Sequence, residues 1–420
     1  MENVITNFKS GSVYKNKDFY MIYKYFWLIA ILPKSLQFLV LFFMAAKVSL
    51  KKIWSNKQIC LHHASFYFLL GIFIQIFAII NQIIIGNANF TRVLAAINTS
   101  LIWVFGIAFY EYYISFVFDS HQKKRLIKII IINLYILFAI YIFSLMYKGT
   151  TISILGHSIS LKRYDYFDKT RTYRFSGMLE SQLSTAHLFL ILMPIIIIAV
   201  GKNIHIFIVA ILTYIVVLAG HSRVGMIMAT VDIIAFIWLL LLHRNFNKRN
   251  IYQLSFFALL FLIILFICNH QKFIEFFLRL YNSREGSNSA RFIIYKESIS
   301  KVLQESPVFG IGIKYMISFS FNDIPYGSHS TYIGILYKTG ILGCIFFMAG
   351  FYEIIKGIIK NCKIHKGFLF IIITVFSYFI FISLTDLDGC DWYPVFIFSS
   401  WGLLSNKSFV FEVPEDITSI

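Results

Sequence analysis

The chain has 420 residues, 58% hydrophobic and only 14% charged, with 46 phenylalanines and a formal net charge of +18. Soluble globular domains carry about 25% charged residues, so this composition excludes a soluble fold. The surplus lysines and arginines sit in short stretches between apolar runs, which reads as membrane topology rather than as a nucleic-acid surface.

Apolar runs of 18 or more residues recur, and about 20 suffice for a helix to cross the roughly 30 Å hydrocarbon core. In lipid only helices or closed barrels satisfy every backbone polar group, and these runs are too long and continuous for barrel strands. The expected fold is all-α: a polytopic integral membrane protein, one multi-pass domain over 1–420, with about 11–12 transmembrane helices. The first run starts near Phe19 and no small-residue cleavage site follows it, so no cleaved signal peptide is expected. Pro33 and Lys34 interrupt this region at 19–47, leaving one helix or two short re-entrant pieces. Further runs fall at 61–86, 91–118, 126–147, 184–201, 204–220, 224–242, 251–269, 330–358, 367–385 and 392–404.

As a single helix, 204–242 would reach about 58 Å, nearly twice the core thickness. It must turn, and its polar cluster is Gly220, His221, Ser222 and Arg223. An arginine at a helix centre costs about 2.5–3.5 kcal/mol, and a turn at Arg223 removes most of that cost. The five cysteines, Cys60, Cys268, Cys344, Cys362 and Cys390, show no paired spacing, so neither a zinc site nor a disulfide framework is expected.

Orientation follows from the short loops. Lys47, Lys51, Lys52 and Lys57 form one basic group, and Lys123, Lys124, Arg125 and Lys128 a second. Arg244, Lys248 and Arg249 form a third, and Lys356, Lys360, Lys363 and Lys366 a fourth. Counting helices puts all four on one side, the cytoplasmic one. The opposite side then carries a first outer loop at 148–183, the turn at Arg223, a second, large outer loop at 270–329 and the turn at 386–391. This outer side holds Arg163, Arg171, Arg174, Arg223, Arg279, Arg284, Arg291 and His329. Arginine grips phosphate bidentately and stays charged at any relevant pH, so the set points to an anionic ligand at the outer leaflet.

Within the second loop, residues 289–303 place Phe292, Ile293, Ile299, Val302 and Leu303 at helical spacing, which predicts an amphipathic surface helix with Arg291 near its start. Helix starts favour anions. The Gly310 and Gly312 pair that follows is expected to form a tight turn, since no strand precedes it. Glu180, Asp386, Asp388 and Asp391 fall on the outer side as candidates to orient a histidine or bind sugar hydroxyls. Glu111, Asp232 and Lys338 fall inside apolar runs, where charges are functional candidates or internal pairs.

Four segments in order resemble the O-antigen ligase and polymerase superfamily, the Wzy-type and WaaL-type lipid-linked glycan transferases. They are RFSGMLESQLSTAHL at 174–188, HSRVG at 221–225, SARFIIYKESISKVLQESPVFGIG at 289–312 and GSHSTYIGILYKTGILG at 327–343. The resemblance covers about 170–345; the N-terminal third is similar only in hydropathy. It implies that Arg174, Arg223 and Arg291 bind the diphosphate of an undecaprenyl-diphosphate-linked oligosaccharide. It implies that His329 engages the acceptor hydroxyl or the reacting centre, with Arg223 and Arg291 completing the catalytic set. Glu180, Asp386 and Asp388 remain candidates to orient His329 or the acceptor. The implied enzyme is an inverting glycosyltransferase with no metal, no cofactor and no nucleotide sugar. It would sit in a bacterial plasma membrane with its active site facing outward, among membrane lipid, and work beside a flippase and a chain-length regulator, with no nucleic acid. The expected activity is polymerisation of O-antigen or capsule repeat units. The alternatives are a ligase acting on lipid A core or protein and a transporter of lipid-linked oligosaccharide. Ligase-type members often carry asparagine after the histidine; here the residue is Ser330.

Overall fold

The computed structural model describes residues 19–56, 61–86, 88–154, 157–164, 173–181, 183–199, 204–243, 285–318 and 323–410. The run expected at 251–269, the basic residues Lys57, Arg244, Lys248 and Arg249, the arginines Arg171, Arg279 and Arg284, and Cys60 and Cys268 lie outside the described residues.

The N-terminal region resolves into α1 (Met21–Lys24), α2 (Phe26–Ile31) and α3 (Lys34–Asn56). The break falls at Leu32, which is extended, because the residue before a proline is pushed out of the helical region. Gln37 closes the gap by donating to the Leu32 carbonyl at 2.9 Å. Three long apolar helices follow: α4 (His63–Ile84), α5 (Phe90–Ser115) and α6 (Ser120–Met146). Asp119 starts α6 with a reciprocal capping pair to Gln122, which satisfies two orphan donors of the first turn.

The first expected outer loop contains two small antiparallel hairpins that its sequence did not announce. β1 (Thr151–Ile154) pairs with β2 (His157–Ser160), and β3 (Lys162–Tyr164) with β4 (Tyr173–Phe175), placing Arg163 opposite Arg174. Then come α7 (Ser184–Ile198), α8 (Ile204–Ala219) and α9 (Arg223–His243). The long run does turn where the arginine stands. Ser222 accepts the Gly225 N–H at 3.2 Å, and Gly225 lets α9 lie against Ala186 of α7.

The amphipathic helix is present as α10 (Glu285–Glu305), followed by a hairpin of β5 (Met316–Ser318) and β6 (Asp323–Pro325). The chain continues through α11 (Thr331–Cys362), α12 (Phe368–Ser383), a 3₁₀ turn at Leu387–Gly389, α13 (Trp392–Leu404) and α14 (Lys407–Val410). Among the described residues, α4, α5, α6, α9 and α11 are long and apolar enough to cross a membrane, while α7, α8 and α12 are shorter apolar helices. Every residue of α7 and of α13 is buried, so these two lie inside the bundle. By contrast α4 exposes Phe73, Phe77, Ile80 and Ile84, an apolar outer wall that suits lipid. The protein is an all-α polytopic membrane protein.

One departure from expectation shapes the site. α11 has 32 residues, or about 48 Å at the helical rise, and is interrupted at Gly340, where φ is 63°. The turn after α10 fills this break. The Ile311 and Gly312 N–H groups donate to the carbonyls of Tyr337 and Lys338, at 2.9 and 3.0 Å. In return the N–H groups of Ile341 and Leu342 donate to Pro307 and Val308, at 2.9 and 3.1 Å. Four backbone groups that a kink would orphan in an apolar interior are thereby paired. A Cβ at Gly310 would strike the backbone of 338–340, and one at Gly340 would strike Val308, so two glycines meeting is what lets the segments interlock.

Interactions also sort the helix ends. Lys52 pairs with Glu111, Asn361 donates to the Ser405 carbonyl, and the Phe118 N–H donates to Ser408, all at the ends that carry the basic groups. The starts of α3, α7, α9 and α11 and the turn at 384–391 lie at the other ends. Glu111, one of the intramembrane candidates, is thus a partner of Lys52 and of the His62 N–H, and Asp232 is wholly buried in α9 facing Ser377.

Candidate active site

His329 stands at the entry to α11 in a left-handed backbone conformation, φ 64°. The cap itself is Ser330, whose hydroxyl accepts the Ile333 N–H at 3.3 Å. The histidine is therefore released from capping duty. Its peptide is clamped from two sides: its N–H donates to Asp386 Oδ2 at 2.9 Å, and its carbonyl accepts the Tyr295 hydroxyl at 2.7 Å. A left-handed non-glycine residue costs about 1–3 kcal/mol and persists only where the surroundings fix it. Here α10 and the 384–391 turn do so together.

The electrostatics give the imidazole a defined state. Burial lowers the His329 pKa from 6.5; Asp386 opposes this, while Arg291 and Lys314 push in the same direction as burial. The ring is neutral at pH 7 and able to accept a proton. Arg291, half-buried on α10, acts on both His329 and Tyr295, whose hydroxyl pKa is raised by burial. Lys314 arrives from the segment between the interlocking turn and β5. Its Nζ lies 3.8 Å, and Asp386 Oδ1 3.9 Å, from where a Cβ would stand on Gly334. A side chain at Gly334 would therefore intrude between them. His329, Arg291 and Asp386 thus converge, and Lys314 and Tyr295 join them, although the sequence did not single out either of the last two.

The turn at 384–391 distributes its three carboxylates to three places. Asp386 serves His329. Asp388 pairs with Lys338 of α11 and accepts the Trp103 indole N–H at 2.6 Å. Burial works against ionising Asp388, but Lys338, Lys314 and those hydrogen bonds hold its carboxyl below the usual value. Asp391 lies toward Lys34 and Glu180; burial pushes its carboxyl up to about 6, with Lys34 opposing and Glu180 reinforcing. Glu180 itself accepts from Gln37 at 2.7 Å and pairs with Lys34 at 3.7 Å, so its partners are those of the α2–α3 junction.

Arg174 and Arg223 are set by other elements. Arg174 is 3% exposed in β4, opposite Arg163, and Arg223 is the half-buried first residue of α9. Both stand on the side that carries His329.

Residues 207–348 match the family model described as O-antigen ligase, a span containing Arg223, Arg291, Lys314, His329 and the break at Gly340. Arg174, Glu180, Asp386 and Asp388 fall outside it. No curated protein matches the chain. Through that span the chain is similar to the O-antigen ligase family.

Proposed function

We propose that the chain is a polymerase of cell-surface polysaccharide. It transfers a glycan from its undecaprenyl-diphosphate carrier to the sugar of a second lipid-linked repeat unit at the outer face of the plasma membrane. The observation that carries this reading is the convergence of a neutral, clamped His329 with Arg291 and Asp386, joined by Lys314, at the ends opposite the basic loops.

In the reaction, His329 accepts the proton of the acceptor hydroxyl as its oxygen bonds to the anomeric carbon. The bond from that carbon to the diphosphate oxygen breaks, and its electron pair leaves with the diphosphate. A positioned base of this kind contributes about 10²–10⁴-fold. Arg291, together with Arg223 and Arg174 of the same side, takes up the charge that grows on the leaving group, the preorganised stabilisation that such transfers need. Lys314 adds a further cation at the same point. A single displacement of this kind inverts the anomeric centre, and no metal is assigned a step.

Ser330 caps α11, a duty asparagine performs equally well, so the choice between polymerase and ligase rests on the acceptor. A transporter would use a broken helix as a midplane site with open backbone groups. In α11 the 307–312 turn already pairs those groups, which favours an enzyme. The test is purified protein in lipid nanodiscs given undecaprenyl-diphosphate-linked repeat units alone. A ladder of polymer lengths supports polymerisation. Product only when lipid A core is added identifies a ligase, and no transfer to either acceptor would overturn the assignment.

A further inference from the structure

Beside the His329 group lies a second feature, a cleft of about 390 Å³ between the α2–α3 junction, strands β2 and β3 and the turn at 384–391. We propose that this cleft is the acceptor-saccharide subsite, binding hydroxyl-rich sugar of the incoming repeat unit; this rests on the glycan-transfer reading above.

Charge balance argues for a sugar. Glu180 stands in the cleft wall and Asp391 is close to it; Lys34 and Arg163 line the same wall. The formal charges of these two acids and two bases cancel. A diphosphate placed here would face two carboxylates. A saccharide uses both signs, because carboxylates accept short, charge-assisted bonds from hydroxyls and a guanidinium donates several N–H groups to ring and hydroxyl oxygens. The volume falls in the usual range for small-molecule sites, about 300–1,000 Å³.

The carboxylate of Glu180 is also deliberately aimed. Met178 and Glu180 both adopt left-handed backbone, φ 62° and 42°, and Gln37 holds Glu180 Oε1 at 2.7 Å. The side chain is fixed but still 21% exposed, so it keeps acceptor capacity toward the cleft.

Position completes the argument. Gly389 and Cys390 form one wall of the cleft, and Asp386, three residues earlier, holds the His329 N–H. Three residues span at most about 11 Å. A sugar chain seated in the cleft therefore has its end within reach of the histidine across a single turn, while Arg291 and Lys314 act on the histidine itself.

The experiment uses the full chain in nanodiscs and, as probe, the lipid-free repeat-unit oligosaccharide released from the source strain's own polysaccharide. Wild type should bind it. Glu180→Gln and Arg163→Ala should each weaken binding at least tenfold. Arg163 is exposed, so its variant keeps the test decisive even if Glu180→Gln perturbs folding. Failure of wild type to bind, unchanged binding by Arg163→Ala, or displacement of the oligosaccharide by inorganic diphosphate would each overturn the proposal. The two readings separate cleanly. Oligosaccharide binding at the cleft without glycan transfer would remove the transferase reading and leave a saccharide site. Polymer formation with unchanged binding in both variants would do the reverse.

Discussion

At His329 the sign of the pKa shift makes a prediction. The folded value lies below 6.5, because burial, Arg291 and Lys314 outweigh Asp386. The base form is therefore present at neutral pH and is lost as pH falls through that lowered value. The acid limb of kcat/KM should lie below about pH 6.5. Asp386→Asn removes the one charge that raises the pKa, so the limb should move further toward acid, in addition to any loss of rate. A limb above 6.5, or a shift toward alkali in Asp386→Asn, would contradict the assignment. His329→Ala should lower turnover by about 10²–10⁴-fold while the protein remains in the membrane at wild-type level, read by length ladders and immunoblot. His329 and Arg223 were visible in the sequence because each is a polar residue where an apolar helix begins; Arg291 was visible as a cation within a predicted surface helix, and Arg174 was singled out only through the resemblance. Lys314 and Tyr295 were not. Their relation to His329 depends on how α10 and the β5–β6 hairpin fold back over α11, and no local spacing encodes that.

The interlock at Gly340 is a property of two elements together. Alanine at Gly340 would need φ near +63° and would strike Val308; alanine at Gly310 would strike the backbone of 338–340. Either change should separate the 307–312 turn from α11 and so loosen Arg291 relative to His329. We expect Gly340→Ala to lower both the melting temperature and turnover; wild-type values for both would show that the junction is not required. The Lys338–Asp388 pair behaves differently. It is 5% and 13% exposed at its two side chains, so Asp388→Asn leaves a buried cation without its counter-charge, a loss of about 3–5 kcal/mol. Lys338→Met combined with Asp388→Leu should recover most of that stability, and a double variant as unstable as the single one would point to a role beyond pairing. One element start was legible here: the turn that lets Arg223 open α9. Whether Pro33 divides the first region was left open by the sequence, and the Ser330 cap of α11 was not singled out. The break within α11 was not legible, because a glycine amid apolar residues looks the same in a continuous helix. Only the partner turn reveals that its backbone is shared.

For the whole molecule, composition and run length sufficed to predict an all-α membrane bundle, since the bilayer permits so few ways to satisfy a backbone. They did not separate spanning helices from internal ones. α7 and α13 are short and buried along their whole length, and an apolar stretch reads alike whether lipid or protein surrounds it. The lysine-rich ends gather on one side, and the proposed chemistry requires that side to be cytoplasmic, because a lipid-linked donor awaiting polymerisation stands on the other. Single cysteines in a background lacking the five native ones test this directly. Val117 and Ile364 are 77% and 68% exposed at the basic ends, and Tyr173 is 55% exposed in β4 on the opposite side. In intact cells a membrane-impermeant maleimide should label Tyr173→Cys, and should reach Val117→Cys and Ile364→Cys only after permeabilisation. The reversed pattern would put His329 and Arg291 on the cytoplasmic side and remove the outer-leaflet donor from their reach, whatever the merits of the local geometry.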